Sequence, residues 1–141
     1  MRSARDALLA VSVALILAFT LVPRHGLGDR EFVPFRDVVT AARYADGAEL
    51  GRSLLDAVAN VLLFVPLGQA LALRGWSVRR TLVGACALSL AIELAQLTVI
   101  AGRTAATSDV LLNTSGALLG YALLTMSRRR GWLRSTERAQ S

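Results

Sequence analysis

Four apolar runs dominate this chain: Ala7 to Val22, Leu54 to Leu73, Thr81 to Ala101 and Asp109 to Met126. Each is about 16–21 residues, or roughly 24–32 Å of helix at about 1.5 Å per residue, which is close to the hydrocarbon thickness of a bilayer. A backbone in lipid has no water to pair with, so a span must satisfy its own N–H and C=O groups, as a helix does. No strand-like alternation interrupts the runs. The expected fold is therefore all-α: an integral-membrane bundle of four helices. Composition agrees, with 54% apolar residues and a mean hydropathy of +0.50. One domain accounts for all 141 residues.

The net charge of +6 comes from sixteen arginines and no lysine. Such a balance can mark a nucleic-acid binder, but the arginines cluster between apolar runs. Arg2 and Arg5 precede the first run; Arg74, Arg79 and Arg80 fill the second loop; Arg128, Arg129, Arg130, Arg134 and Arg138 follow the last. The first loop is balanced by acids and the third holds only Arg103. By the positive-inside rule both termini face the cytoplasm, and residues 127–141 form a cytoplasmic tail. Nucleic acid is not needed to explain the basic pI. Arg2, Arg5, the first apolar core and Gly26-Leu27-Gly28 also fit a signal peptide, but the core is long for one and Pro23-Arg24 is a poor approach to a cleavage site. A retained anchor is the expectation; cleavage would leave three spans in the same orientation.

Within the first outer loop, Phe35, Val38, Val39 and Ala42 recur at helical spacing. They suggest an interfacial amphipathic helix over about residues 35–46, or a structured loop that packs its Phe on the bundle.

Depth follows from orientation. Asp56 and Asn60 open the second run, Glu93 and Gln96 lie late in the third, and Asp109 and Asn113 open the fourth, with Arg103 in the loop between. All seven fall at the outer level, and each pair lies at i, i+3 or i, i+4 on one helix face. On the third run the stripe continues through Ser89 and Cys86, and on the fourth through Gly116 and Gly120. An ionised side chain at mid-bilayer costs about 2.5–3.5 kcal/mol, so these faces are expected to turn inward. The result is either a shared polar binding site or a network that only ties helices together. Gly116-x-x-x-Gly120 signals close helix packing, and Pro66 a kink that frees the carbonyl of Leu62. One cysteine excludes an internal disulfide and a Cys-based zinc site; no resident metal or cofactor is expected. His25 has no ligand partner by spacing.

The order "NVLLFVPLG" (Asn60 to Gly68), "ELAQ" (Glu93 to Gln96), Arg103 and "SDVLLNTSGALLGY" (Ser108 to Tyr121) resembles the VanZ-like family of bacterial membrane proteins. "FVPF" (Phe32 to Phe35) is similar to that family's Pro-Phe segment, although Glu31 stands where relatives often carry Asn. The likeness covers roughly residues 31 to 121. It implies that Asn60, Pro66, Gly68, Glu93, Gln96, Arg103, Asp109, Asn113, Gly116 and Gly120 are motif positions, and it points to low-level resistance to the glycopeptide teicoplanin without naming a reaction.

Three functions are open from the residues. A binding protein would hold an amphiphile at the outer leaflet: Arg103 would take a phosphate or carboxylate, and the amides and acids would take hydroxyls, amines or sugars of a lipid, a glycopeptide or a cell-wall precursor lipid. An intramembrane enzyme would use Glu93 as acid/base, or a hard cation held by Asp56, Glu93 and Asp109, although no Ser-His or Cys-His pair is present. An ion-coupled transporter would titrate Glu93, but the inner halves carry few polar residues. The oligomeric state is undetermined. Orientation is testable directly: a fluorescent protein fused after Ser141 should fluoresce while alkaline phosphatase at the same position stays inactive, and the opposite result would invert the topology.

Overall fold

The structure is a computed structural model and describes residues 2–20, 47–99 and 107–140. Every element among them is an α-helix: α1 (Arg2–Thr20), α2 (Gly47–Leu73), α3 (Val78–Val99) and α4 (Thr107–Gln140). Three helices, α2, α3 and α4, are long and apolar enough to cross a membrane. The 19-residue α1, with Arg2, Arg5 and Asp6 in its opening turns, is not among them. The amphipathic stretch proposed near residues 35–46 lies outside the described residues.

Two helices start or end beyond the apolar runs. α2 begins at Gly47 instead of near Leu54, because Ala48, Glu49, Leu50 and Arg52 are good helix formers that need no apolar surroundings. α4 continues past Met126 to Gln140 for a related reason: after Arg128-Arg129-Arg130 only Gly131 weakens the helix, and no proline stops it. The expected tail is therefore helical.

The turn between α2 and α3 has a specific geometry. Gly75 takes φ 77°, the left-handed conformation that ends many helices. Its N–H donates to the Ala72 carbonyl (3.1 Å), and the Trp76 N–H donates to the Leu71 carbonyl (3.1 Å). This pair of bonds is a Schellman closure, which satisfies carbonyls that a helix end leaves without partners. Ser77 then caps α3, its hydroxyl oxygen accepting the Arg80 N–H at 3.3 Å. Trp76 folds over Gly84, so the turn packs on its own hairpin.

Helix directions follow from contacts at the two ends. Asp6 near the start of α1 pairs with Arg74 just after α2, while Gln96 late in α3 bonds the carbonyl of Thr20, the last residue of α1. Helix α1 therefore runs antiparallel to α2 and alongside α3. The contacts of α2 with α4 advance together, Val61 with Gly116 and Val65 with Gly120, so this pair is parallel.

That parallel pair is the closest in the bundle. A Cβ at Gly116 would overlap the Val61 carbonyl, one at Gly120 the Val65 carbonyl, and one at Gly68 the Ala117 carbonyl. Only a hydrogen fits, so backbones touch where lipid offers no hydrophobic drive between helices. A small core of Ile16, Phe64, Leu67, Leu71, Ala85, Ile92 and Ala117 joins all four helices.

The surface inverts the soluble pattern. Exposed positions include Leu55, Val58, Leu62, Val83, Leu94, Leu123 and Met126, while Ser12, Ser89, Glu93, Gln96 and Asn113 are buried. Apolar exposure on this scale calls for a lipid solvent. Gly116→Val and Gly120→Val should each cost about 1–3 kcal/mol by overpacking, read as a lowered thermal midpoint in detergent. Gly51→Ala, where the added methyl meets nothing within 4 Å, should be neutral or stabilising.

Candidate functional site

The third-run stripe read from sequence is a buried seam in α3. Ser89, Ile92, Glu93 and Gln96 turn inward, whereas Leu90, Leu94 and Leu97 are exposed. On α4, Asn113, Gly116, Ala117 and Gly120 share the inward face. The α2 face carrying Asn60 meets both. These three faces, with α1, enclose a cavity of about 370 Å³ in the half of the bundle opposite the Arg74 turn.

Asn60, Glu93, Gln96, Asp109 and Asn113 all line that cavity. Asn60 Nδ2 donates to Asp109 Oδ1 at 2.9 Å and joins α2 to the start of α4. Asp109 lies in the first turn of α4, where the positive end of the helix dipole favours a carboxylate. Asn113 Nδ2 donates to Ser89 Oγ at 2.9 Å, linking α4 to α3. Asn113 is 3% exposed, and its Oδ1 is buried without a hydrogen-bond partner in the structure. Glu93 is 6% exposed.

Gln96 has a different task from the rest. Its Nε2 donates to the carbonyl of Thr20, the last described residue of α1, at 2.8 Å. Gln96 thus fixes α1 on α3; at 2% exposure its side chain works mainly as a tie. Pro66 also lines the cavity, one turn after Leu62. Residue 66 has no N–H, so the Leu62 carbonyl lacks its usual helical donor beside the cavity.

Asp56 stands apart. It is exposed, one turn before Asn60, and it does not line the cavity. Arg103 lies outside the described residues. Helix α1 supplies Ser12 and Thr20, which sequence reasoning had not placed at the site. Both hydroxyls donate back to carbonyls four residues earlier, Leu8 and Ile16, each at 2.6 Å. A signal for them exists: Ser12, Ile16 and Thr20 recur at i, i+4, i+8, and all three are buried.

The cavity wall is not uniformly polar. Leu15, Phe19 and Leu62 border it as well, and Phe19 and Leu62 are about 60% and 59% exposed respectively. One side thus offers carboxylates and amides and the other apolar side chains open to the surroundings. Among the described residues, no three His, Cys, Asp or Glu side chains gather as a metal-binding group.

The sequence profile of the VanZ/LLP1 family matches residues 7–128, a stretch that includes the first apolar run. No curated protein and no solved structure matches the chain. The Asn60–Asp109 bond is measurable by a double-mutant cycle with Asn60→Ala and Asp109→Ala. Its coupling should be about 0.6–1.7 kcal/mol in detergent unfolding, the range of interhelical hydrogen bonds in membranes. Asp56→Asn should show no coupling to either.

Proposed function

We propose that this chain, which belongs to the VanZ/LLP1 family, binds the headgroup of an amphiphile in the cavity between α1, α2, α3 and α4. Through that binding it alters the cell envelope and its susceptibility to glycopeptides such as teicoplanin. The observation that carries the proposal is the two-sided wall: Glu93, Asp109 and Asn113 face a space also bordered by exposed Phe19 and Leu62. A headgroup suits the first side and the start of an acyl chain the second. A network serving only to hold helices together would close on itself and leave no room for a guest.

In this reading α1 is a fourth span. Its exposed Val11, Leu15, Leu17 and Phe19 suit lipid, and 19 residues reach about 28 Å at about 1.5 Å per residue. Arg74, Arg79 and Arg80 then mark the cytoplasmic end, with Trp76 at the interface, and the cavity opens in the outer leaflet of a bacterial cell membrane. Arg103, between α3 and α4 in the sequence, would take an anionic group on the same ligand. A guest could be a membrane lipid, a cell-wall precursor lipid or the glycopeptide itself; resistance follows if the bound species is withheld from its target.

The test is native mass spectrometry of the full chain extracted in mild detergent, with teicoplanin tolerance of the expressing host read in parallel. A co-purifying amphiphile should be present in wild type and depleted in Arg103→Ala, with tolerance falling at matched abundance. Loss of tolerance in Glu93→Gln with the amphiphile still bound would favour acid/base chemistry at Glu93. Tolerance unchanged in both variants would make the polar cluster architectural.

A further inference from the structure

We infer that the chain holds a second lipid at the end of the bundle opposite the cavity: an anionic phospholipid seated on the α2–α3 turn. Its phosphate lies on Arg79 and Arg80, and one acyl chain follows the outer face of α3.

The turn carries a groove that closing the hairpin does not require. Trp76 lies over Gly84, where an added Cβ would come within 2.9 Å of the ring. Beside this contact is an open groove of about 500 Å³, lined among the described residues by Trp76, Ser77, Arg79, Arg80, Val83 and Gly84. Each of these is exposed or half-buried, so the groove faces away from the bundle core. The inward face of α3 is a different one and starts with Thr81 and Ala85, both buried.

Charge selects the headgroup. Arg79 and Arg80 are exposed, and no carboxylate among the described residues pairs with either; Asp6 at this end is taken by Arg74. Ser77 Oγ accepts the Arg80 N–H, which leaves its own proton to donate. Guanidinium forks match the oxygens of a phosphate. A zwitterionic headgroup brings its own cation to that phosphate and gains less, so the preferred lipid has a net negative charge. The positive-inside rule accounts for arginines at this end, but not for a groove between them and an aromatic ring.

Length selects a lipid over a soluble phosphate. Past the arginines the same helix face continues through Val83, Ala87, Leu90 and Leu94, all exposed and at helical spacing. Val83 to Leu94 spans about 16 Å at about 1.5 Å per residue, close to one leaflet of a hydrocarbon core about 30 Å thick. Arginines, interfacial tryptophan and apolar track thus follow the order of a phospholipid: phosphate, glycerol, chain.

The experiment uses the full chain in detergent, incubated with phosphatidylglycerol, phosphatidylethanolamine or diacylglycerol of identical acyl chains, with bound lipid counted by native mass spectrometry. Phosphatidylglycerol should be retained about tenfold over phosphatidylethanolamine, the size of one charge-assisted hydrogen bond, and further still over diacylglycerol. The double variant Arg79→Gln, Arg80→Gln should remove the preference. Gly84→Leu alters no charge but displaces Trp76, and it should lower the preference several-fold. Thermal midpoints confirm that both variants fold. Arg128→Gln with Arg129→Gln removes the same charge from α4, outside the groove, and should leave the preference unchanged. Equal retention of the two phospholipids by wild type, or an equal loss in the α4 variant, overturns the site. Displacement of phosphatidylglycerol by sn-glycerol 3-phosphate at equal concentration overturns the assignment to a lipid. A dimeric mass that Val83→Gln and Leu90→Gln convert to monomer gives this face to a second copy and overturns it as well.

Discussion

Where Gly116 and Gly120 of α4 meet the carbonyls of Val61 and Val65 on α2, two backbones lie against each other without side chains between them. Lipid tails are as apolar as leucine, so two helices in a bilayer gain little by hiding leucines from their solvent; they gain from close van der Waals contact. Gly116 and Gly120, with Gly68 of α2 against the Ala117 carbonyl, provide it. This contact sets the level of α4 relative to α2, and that level is what brings Asp109 within 2.9 Å of Asn60. The polar cluster depends on the glycine seam beneath it.

From that seam the rest assembles in order. Helix α3 packs on α4 through the Asn113–Ser89 bond, and its hairpin with α2 is closed by Gly75 and capped by Ser77. Helix α1 is then held at both ends, by Asp6 with Arg74 and by Gln96 with Thr20. An exposed ion pair alone holds weakly, so the buried Gln96 bond and the packing of Ile16 carry more of that attachment. The cavity is the space these ties leave between four helices that touch fully only elsewhere.

Much of the cavity's polar lining is legible in the sequence. Glu93, Asp109 and Asn113 stood out because charged and amide side chains in apolar runs are expensive, and a shared helical face showed which way each pair would turn. Asp56 is in phase with Asn60 but one turn nearer the end of the helix, where it is exposed and does not line the cavity. Gln96 was in phase too, yet its amide nitrogen is taken by the Thr20 carbonyl, a contact that exists only because α1 lies beside α3. Ser12 and Thr20 escaped attention because hydroxyls are cheap in a membrane helix: each can bond its own backbone, as both do, so neither signals a site by composition. The helical continuation past Met126 escaped because the end of an apolar run marks where suitability for lipid stops, whereas a helix stops only where its backbone must.

By itself the sequence determined that the described chain is helical, where its three membrane-length helices lie, which face of each is polar, and that glycines on α4 would serve close packing. Those properties are periodic or local, and a bilayer enforces them because it punishes unpaired backbone and misplaced charge. Only the tertiary structure decided that the glycines of α4 seat on α2, a parallel partner distant in the chain, and that α1 closes the cavity. It also separated the amides that tie helices from the oxygens that face the space between them. Those are choices among partners, and they turn on which backbones come close enough to touch, a quantity no single helix carries.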